Sequence, residues 1–339
     1  MHSVPALRHG PTRPHRGSRT PSLRHLLAVL LLALGWPVAA QQYPTQPIKV
    51  LVAFPPGGGA DAAARILAAA LGEQLGQSVV VENYAGAGGT IGTARAAHAA
   101  PDGYTLLVGT PSTHGANVAV YEHLNYDPVK DFTPVMLIGS SPFMLLAAPG
   151  FEGKSVKDLV AMAKARPGTI NYASYGNGSI NHLAGELFAS LADINVTHVP
   201  YRGGGPAMVD LLAGRVQYEF DGTASIGQVK AGKVKLLAVT SKARWPVFPD
   251  VPAVDETVPG FDAITWYGLF APAGTPKPIV DLLNAKANAA LRTAAAREGL
   301  NQLSIDPGGG APEVLALQVR GEVDKWVGIA RRRNIRITE

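Results

Sequence analysis

The chain has no cysteine. Disulfides, thiolate nucleophiles and cysteine-held metal centres are excluded, as is a lipid anchor attached through cysteine. Charge is scarce too: Asp, Glu, Lys and Arg make up 16% of 339 residues. No basic stripe carries interleaved aromatics, so nucleic acid is not an expected partner. RRRNIR (331–336), a basic cluster after a helical pattern, reads as positive charge at a helix C-terminus. No GxSxG elbow or HExxH is present, and the loop GGGADAAAR has neither the GxGxxG spacing nor the GK[ST] ending of a phosphate loop. The sequence therefore points away from an enzyme, a metal site and a nucleotide cofactor. Beyond the N-terminal leader, no run reaches eighteen apolar residues.

Acidic residues are missing from one place in particular. Residues 1–40 hold Arg8, Arg13, Arg16, Arg19 and Arg24 and no acid. Removing those five from the 30 basic residues leaves 25 against 25 acidic ones, so the +5 formal charge belongs to the leader. LLAVLLLALGWPVAA (26–40) has an apolar core from Leu26 to Trp36, then Val38 and Ala40 at the small positions of a cleavage site. This predicts a secretory signal cut after Ala40 and a periplasmic location.

What is abundant is glycine and proline, 38 and 27 residues, gathered at the edges of apolar runs. One grammar repeats: a short apolar strand, a glycine-bearing loop, an alanine-rich helix. IKVLVAF (48–54) leads through PPGGG to a helix over about 61–75; QSVVVEN (77–83) leads through YAGAGG; YTLLVGT (104–110) leads through PSTHG. INYASYG (170–176) leads through NGS, and VTHVPYRGGG (196–205) leads to AMVDLLAGRV. Two long helical patterns close the chain, at about 276–298 and 311–330. Alternating strands and helices predict α/β layers with mostly parallel sheets. The strands are too many for one comfortable sheet. The expected division is a discontinuous first domain, 43–143 plus 265–339, and an inserted second domain, 144–264. Two crossings would make a hinge with a ligand cleft between the domains.

A glycine loop between a strand end and a helix N-terminus leaves amide N–H groups unpaired, and without Cβ atoms an anion can approach closely. Four loops have this form, at 55–61, 85–90, 174–179 and 201–206. GAGG (86–89) serves equally well for close helix–sheet packing. Asp61 reads as the cap of its helix or as a ligand contact. Ser112, Thr113 and His114 follow a strand and either bond the ligand or form a turn. His182 and His198 read as packed or buried histidines. Tyr201 suits an apolar ligand body, and Arg202 reads as a carboxylate partner or a surface arginine. Asp221, at a strand end, is a turn cap or a ligand contact, and Trp266 and Tyr267 shield the hinge or floor the cleft.

FPPGGGADAAAR, ENYAGAGGTIG, APDGYTLLVG, NYDPVKDFTPV, YGNGSINHLAGELF, HVPYRGGGPAMVDLLAG, KAGKVKLLAVTS, FPDVPAVDE and WYGLFAPAGTP closely resemble the Bug receptors, the substrate-binding proteins of tripartite tricarboxylate transporters. The resemblance runs over 43–339. It implies a two-domain periplasmic-binding-protein-like fold that closes on a small carboxylate: an amino acid, a di- or tricarboxylate, or an aromatic acid. It implies delivery to integral-membrane transporter subunits, or else to a sensor kinase, by a monomer without a cofactor. The family's first glycine loop maps to Pro56, Gly57, Gly58, Gly59 and Asp61. Its second wall maps to Ser174, Asn177, Gly178 and Ser179, then to Tyr201, Gly203 and Gly204, with Asp221 on the remaining side. FDGTASIGQVKAGK (220–233) is shorter than the matching stretch of many relatives and lacks its proline.

Overall fold

The computed structural model describes residues 43–336. The expected signal segment and its cleavage after Ala40 lie outside the described residues. No described helix is long and apolar enough to cross a membrane.

Eleven described strands form two sheets. The first contains β1 (Ile48–Val52), β2 (Val79–Asn83), β3 (Thr105–Gly109), β4 (Phe132–Pro142), β10 (Ile264–Pro272) and β11 (Asp306–Gly309), in the order β11-β4-β10-β3-β1-β2. The second contains β5 (Met144–Ala147), β6 (Asn171–Ser174), β7 (Thr197–Pro200), β8 (Tyr218–Asp221) and β9 (Lys235–Val239), in the order β7-β6-β8-β5-β9. β1 is parallel to β2 and β3, and β6 is parallel to β7 and β8. Each sheet also carries antiparallel strands where the chain passes between them. β10 runs antiparallel to β3 and β4, and β5 runs antiparallel to β8 and β9. The mostly parallel expectation misses these because a strand that arrives directly from the other sheet need not use a helical crossover.

The helices are α1 (Gly59–Leu75), α2 (Thr90–Ala97), α3 (Asn117–Val120), α4 (Val156–Ala165), α5 (Ile180–Ala192), α6 (Gly204–Leu212), α7 (Ile226–Lys230), α8 (Lys277–Leu291), α9 (Ala294–Gln302) and α10 (Pro312–Arg333). α1 presents Ala60, Ala63, Ala64, Leu67 and Leu71 to the first sheet, a 3–4 spacing that places one apolar stripe on one helix face. It ends at Gly76 in the left-handed conformation, the usual glycine stop. The single helix expected over 276–298 is two, because Thr293 caps a new start by accepting from the Ala296 amide at 3.3 Å.

α10 belongs to both cores. Leu315 and Val319 pack with Trp266 and Phe270 against the first sheet. Trp326, Ile329 and Ala330 join the second sheet's core with Leu183 and Phe188. The sequence reading assigned this whole helix to the first domain; buried residues of its distal half share an apolar cluster with Ala116 and Val120 as well as with the second sheet's core.

Candidate functional site

Val52 ends β1 and Gly58 precedes α1 in extended backbone, with no side chain capping the helix. The helical ladder begins with Ala62 N–H donating to Gly58 O at 2.9 Å. The amides of Gly59, Ala60 and Asp61 come before it and have no acceptor inside the helix. Pro56, Gly57, Gly58 and Gly59 are exposed. Gly57 has φ 85, a conformation that glycine adopts without strain. Gly59 is glycine for a different reason: a Cβ there would overlap the Tyr267 hydroxyl.

The Asp61 carboxylate is 3% exposed. It accepts from Gly57 N–H at 2.9 Å, Arg65 Nε at 3.0 Å and Asn83 Nδ2 at 2.9 Å. Its oxygens are engaged by the loop they support. Burial opposes its charge, but the bonds from Arg65, Gly57 and Asn83 outweigh that and hold its pKa below the usual aspartate value. Because the folded value is lowered, its contribution is present above the unfolded value of about 3.9 and is lost as pH falls through the folded one. Asp61→Ala is expected to cost about 2 kcal/mol at pH 7, discounted for the half-exposed Arg65. Urea unfolding of both chains should show the difference shrinking at acid pH.

The second sheet supplies a similar helix start. After β7, Gly203 (φ 108) precedes α6, again without a side-chain cap. Gly204 and Gly205 leave free first-turn amides, and Pro206 has none to satisfy. A Cβ at Gly203 or Gly205 would meet nothing within 4 Å. Arg202 is exposed beside this end, and no ion pair engages it. Tyr201 is half-buried, and its hydroxyl donates to Asp210 Oδ2 at 2.8 Å. Its pKa is pushed up to about 12 by burial, then by the Asp210 bond.

The other two glycine loops differ from these. Gly89 is buried, and a Cβ there would press on Thr113 Cγ2 at 2.8 Å and Phe54 at 3.1 Å. Gly92 lies against the Tyr84 carbonyl and Ala53. GAGG thus serves close packing of α2 on the sheet. At 174–179 the α5 end is already capped, because Ser179 Oγ accepts from His182 N–H and donates to Gly176 O at 2.7 Å. Ser174 is fully buried, bonded to Gly176 N–H at 3.1 Å and to His198 Nε2 at 2.6 Å. Gly178 is buried and donates its N–H to His182 Nδ1 at 3.1 Å. Ser174, Gly178 and Ser179 support their own turn. Asn177 is the exposed member of that loop.

His114 is 0% exposed, stacked on Phe270 at 4.1 Å and near Phe132 at 4.9 Å. Burial drives its pKa down to about 3, so the ring is neutral. The turn over Ser112–Ala116 carries it into the core, while Ser112 stays half-exposed. Asp221 is 2% exposed and closes the turn after β8, accepting from Gly222 N–H at 2.7 Å and from Ser225 Oγ. Burial raises its pKa to about 6, against those two bonds. Both its oxygens cap that turn.

Two tyrosines stand beside the helix starts, and the sequence reading named only the second of them, Tyr267, as a candidate for the cleft. Tyr175 lies where a Gly204 Cβ would stand, at 2.8 Å, and accepts from Gly222 N–H at 3.3 Å. It therefore joins the α6 start to the Asp221 turn. Tyr267 reaches the α1 start, whereas Trp266, one residue earlier, is sealed in the core. Strand alternation separates that pair.

A family model described as "Tripartite tricarboxylate transporter family receptor" matches residues 63–335. Among curated relatives, BugT of Bordetella pertussis is 37% identical over 318 residues, covering 91% of this chain and 98% of that one. A Pseudomonas sp. (strain P51) protein from a tcbD-tcbE intergenic region is 40% identical over 310 residues, covering 89% and 92%. Among solved structures, a Rhodopseudomonas palustris protein with adipate has TM-score 0.80 and 37% identity, covering 87% of this chain and 100% of that one. MatC from the same organism, with bound malate, has TM-score 0.77 and 40% identity, covering 85% and 99%. The periplasmic binding protein BugD has TM-score 0.77 and 36% identity, covering 87% and 100%. These are solute-binding receptors, not enzymes, and the chain belongs to the tripartite tricarboxylate transporter receptor family, the Bug proteins.

Proposed function

We propose that this chain is a periplasmic receptor that captures a small carboxylate between two lobes, one built on each sheet, and presents it to a tripartite tricarboxylate-type membrane transporter. One observation carries the reading: two helices, one from each sheet, begin in glycine runs with no side-chain cap, the first run exposed and the second exposed at Gly205. Each start offers unpaired N–H donors and the positive end of a helix dipole, worth about 0.3–1 kcal/mol to an anion. Gly58, Gly59 and Ala60 hold one carboxylate from the first lobe. Gly204, Gly205 and Arg202 close over the ligand from the second. Tyr267 and Tyr175 stand beside these starts and flank the ligand body. Closure removes water and strengthens the remaining bonds.

The adipate and malate found in the two R. palustris neighbours make dicarboxylates the first compounds to test. Titration calorimetry of the mature chain should give saturable one-to-one binding. Ligand at a hundred times Kd should stabilise the chain by about 2.7 kcal/mol, and small-angle scattering should record a smaller radius of gyration. Absence of heat and of thermal shift across amino, di-, tri- and aromatic acids would end the receptor reading.

A further inference from the structure

The second sheet carries a cavity of about 520 Å³ that neither uncapped glycine run lines. Its walls are Asn177, His182, Glu186 and His198, with Arg333 and Arg336 at the end of α10. His182 and His198 stack face to face, with ring centroids 3.9 Å apart and planes 11° from parallel. His182 comes from the first turn of α5, His198 from the edge strand β7.

The hydrogen bonds fix which atoms are free. His182 Nδ1 accepts from Gly178 N–H at 3.1 Å, so the neutral ring carries its proton on Nε2. That nitrogen has no partner among the described residues, although the side chain is only 8% exposed and lines the cavity. His198 Nε2 is taken by Ser174 Oγ at 2.6 Å, which leaves Nδ1. The one acid in the wall is already engaged. Glu186 accepts from the Tyr172 hydroxyl at 2.7 Å and pairs with Arg333 at 2.8 Å. Arg336 is exposed and, among the described residues, is held by Glu122 at 3.5 Å. Donors thus outnumber free acceptors: the His182 Nε2–H, the Asn177 amide and the Arg336 guanidinium.

We propose that this cavity is a second binding site, for a small oxyanion, with the His182 Nε2–H as its buried donor and Arg336 as its mobile cation. Sulfate, phosphate and simple carboxylates share the required chemistry, oxygen acceptors on a negative charge. The site is separate from the carboxylate cleft, and it stands or falls independently of it. Occupancy is coupled to protons. Burial lowers the pKa of both rings, with the neighbouring ring adding to the effect at His198. The charged groups facing the pair are Glu186, Arg333 and Arg336, and Tyr172 stacks on His198 at 5.0 Å. An anion beside the stacked pair favours an imidazolium, and the proton goes to the free Nδ1 of His198, because His182 Nδ1 already accepts the Gly178 amide; binding therefore takes up protons and strengthens as pH falls.

Sulfate is the first probe, because its charge does not change between pH 6 and 8, and acetate is the second. Imidazole nitrogen NMR of the mature chain should show the His182 Nε2 resonance moving with added anion. Affinity should be about tenfold tighter at pH 6 than at pH 8, the signature of fractional proton uptake. His182→Asn keeps an acceptor for the Gly178 amide and should abolish the response. Arg336→Ala, on the surface, should weaken sulfate about threefold and leave malate titration unchanged. Movement with both anions supports a general oxyanion site, and movement with sulfate alone supports a tetrahedral one. A His182 resonance that neither anion moves, or an affinity that is the same at both pH values and in Arg336→Ala, overturns the proposal.

Discussion

Replacing Gly58 by valine is expected to lower carboxylate affinity about a hundredfold while the fold survives. The position is chosen by its neighbours. Gly57 has φ 85, so any substitution there strains the backbone. At Gly59 a new Cβ would strike the Tyr267 hydroxyl. Gly58 escapes both problems: its φ is −79, and its Cβ would meet only the Pro55 carbonyl, at 3.8 Å. Valine methyls would stand in the space through which an anion reaches the Gly59 and Ala60 amides. Losing two charge-assisted bonds, discounted for water left in their place, costs about 2.7 kcal/mol of binding. The cost to folding is about 1 kcal/mol, since valine is a poorer N-cap than glycine. Calorimetry and thermal melts of the same preparation separate the two effects. Unchanged affinity would remove the first-lobe loop from the ligand site.

Much of this architecture was legible in the sequence, and the misses share a cause. IKVLVAF, three glycines and an alanine stripe announce β1, its loop and α1, because each element carries its own period or punctuation. β11 carries neither. Its residues are DPGG, and it is a strand only because β4 offers an edge, pairing Asp306 with Ser140. The break at Thr293 was hidden within a continuous helical pattern and is marked by one capping hydroxyl. The site shows the same division. Glycines at strand ends mark loops, but they do not say whether a helix start is open, as at Gly203, or closed by its own serine, as at Ser179. His114 follows a strand as a ligand residue would, yet its turn rotates it against Phe270. That rotation is tertiary, and no spacing along the chain reports it. That Tyr267 and Trp266 face opposite sides of the sheet was readable from alternation along β10, and each is buried in a different apolar cluster.

Glu219 should yield the largest stability change in the protein. It lies on β8, between Ala173 of β6 and Leu146 of β5, and is 1% exposed. Neither carboxylate oxygen has a hydrogen-bond partner. Burial pushes its pKa up to about 8, so at neutral pH the group is mainly uncharged in the folded chain. In the unfolded chain it ionises near 4.3. A raised folded value means that the folded state binds the extra proton. The group's penalty is therefore absent below about pH 4, grows through the window between the two values, and is complete above pH 8. Glu219→Met keeps the length and removes the charge. It should stabilise the chain, by an amount that increases by about 4 kcal/mol between pH 5 and pH 9. Denaturant unfolding of the two chains across that range is the measurement. A gain that did not change with pH would mean that Glu219 finds a partner or solvent in solution. Ionisation of this buried carboxyl gives the second lobe a reason to loosen as pH rises. If so, carboxylate affinity in Glu219→Met should be less sensitive to alkaline pH than in the parent chain.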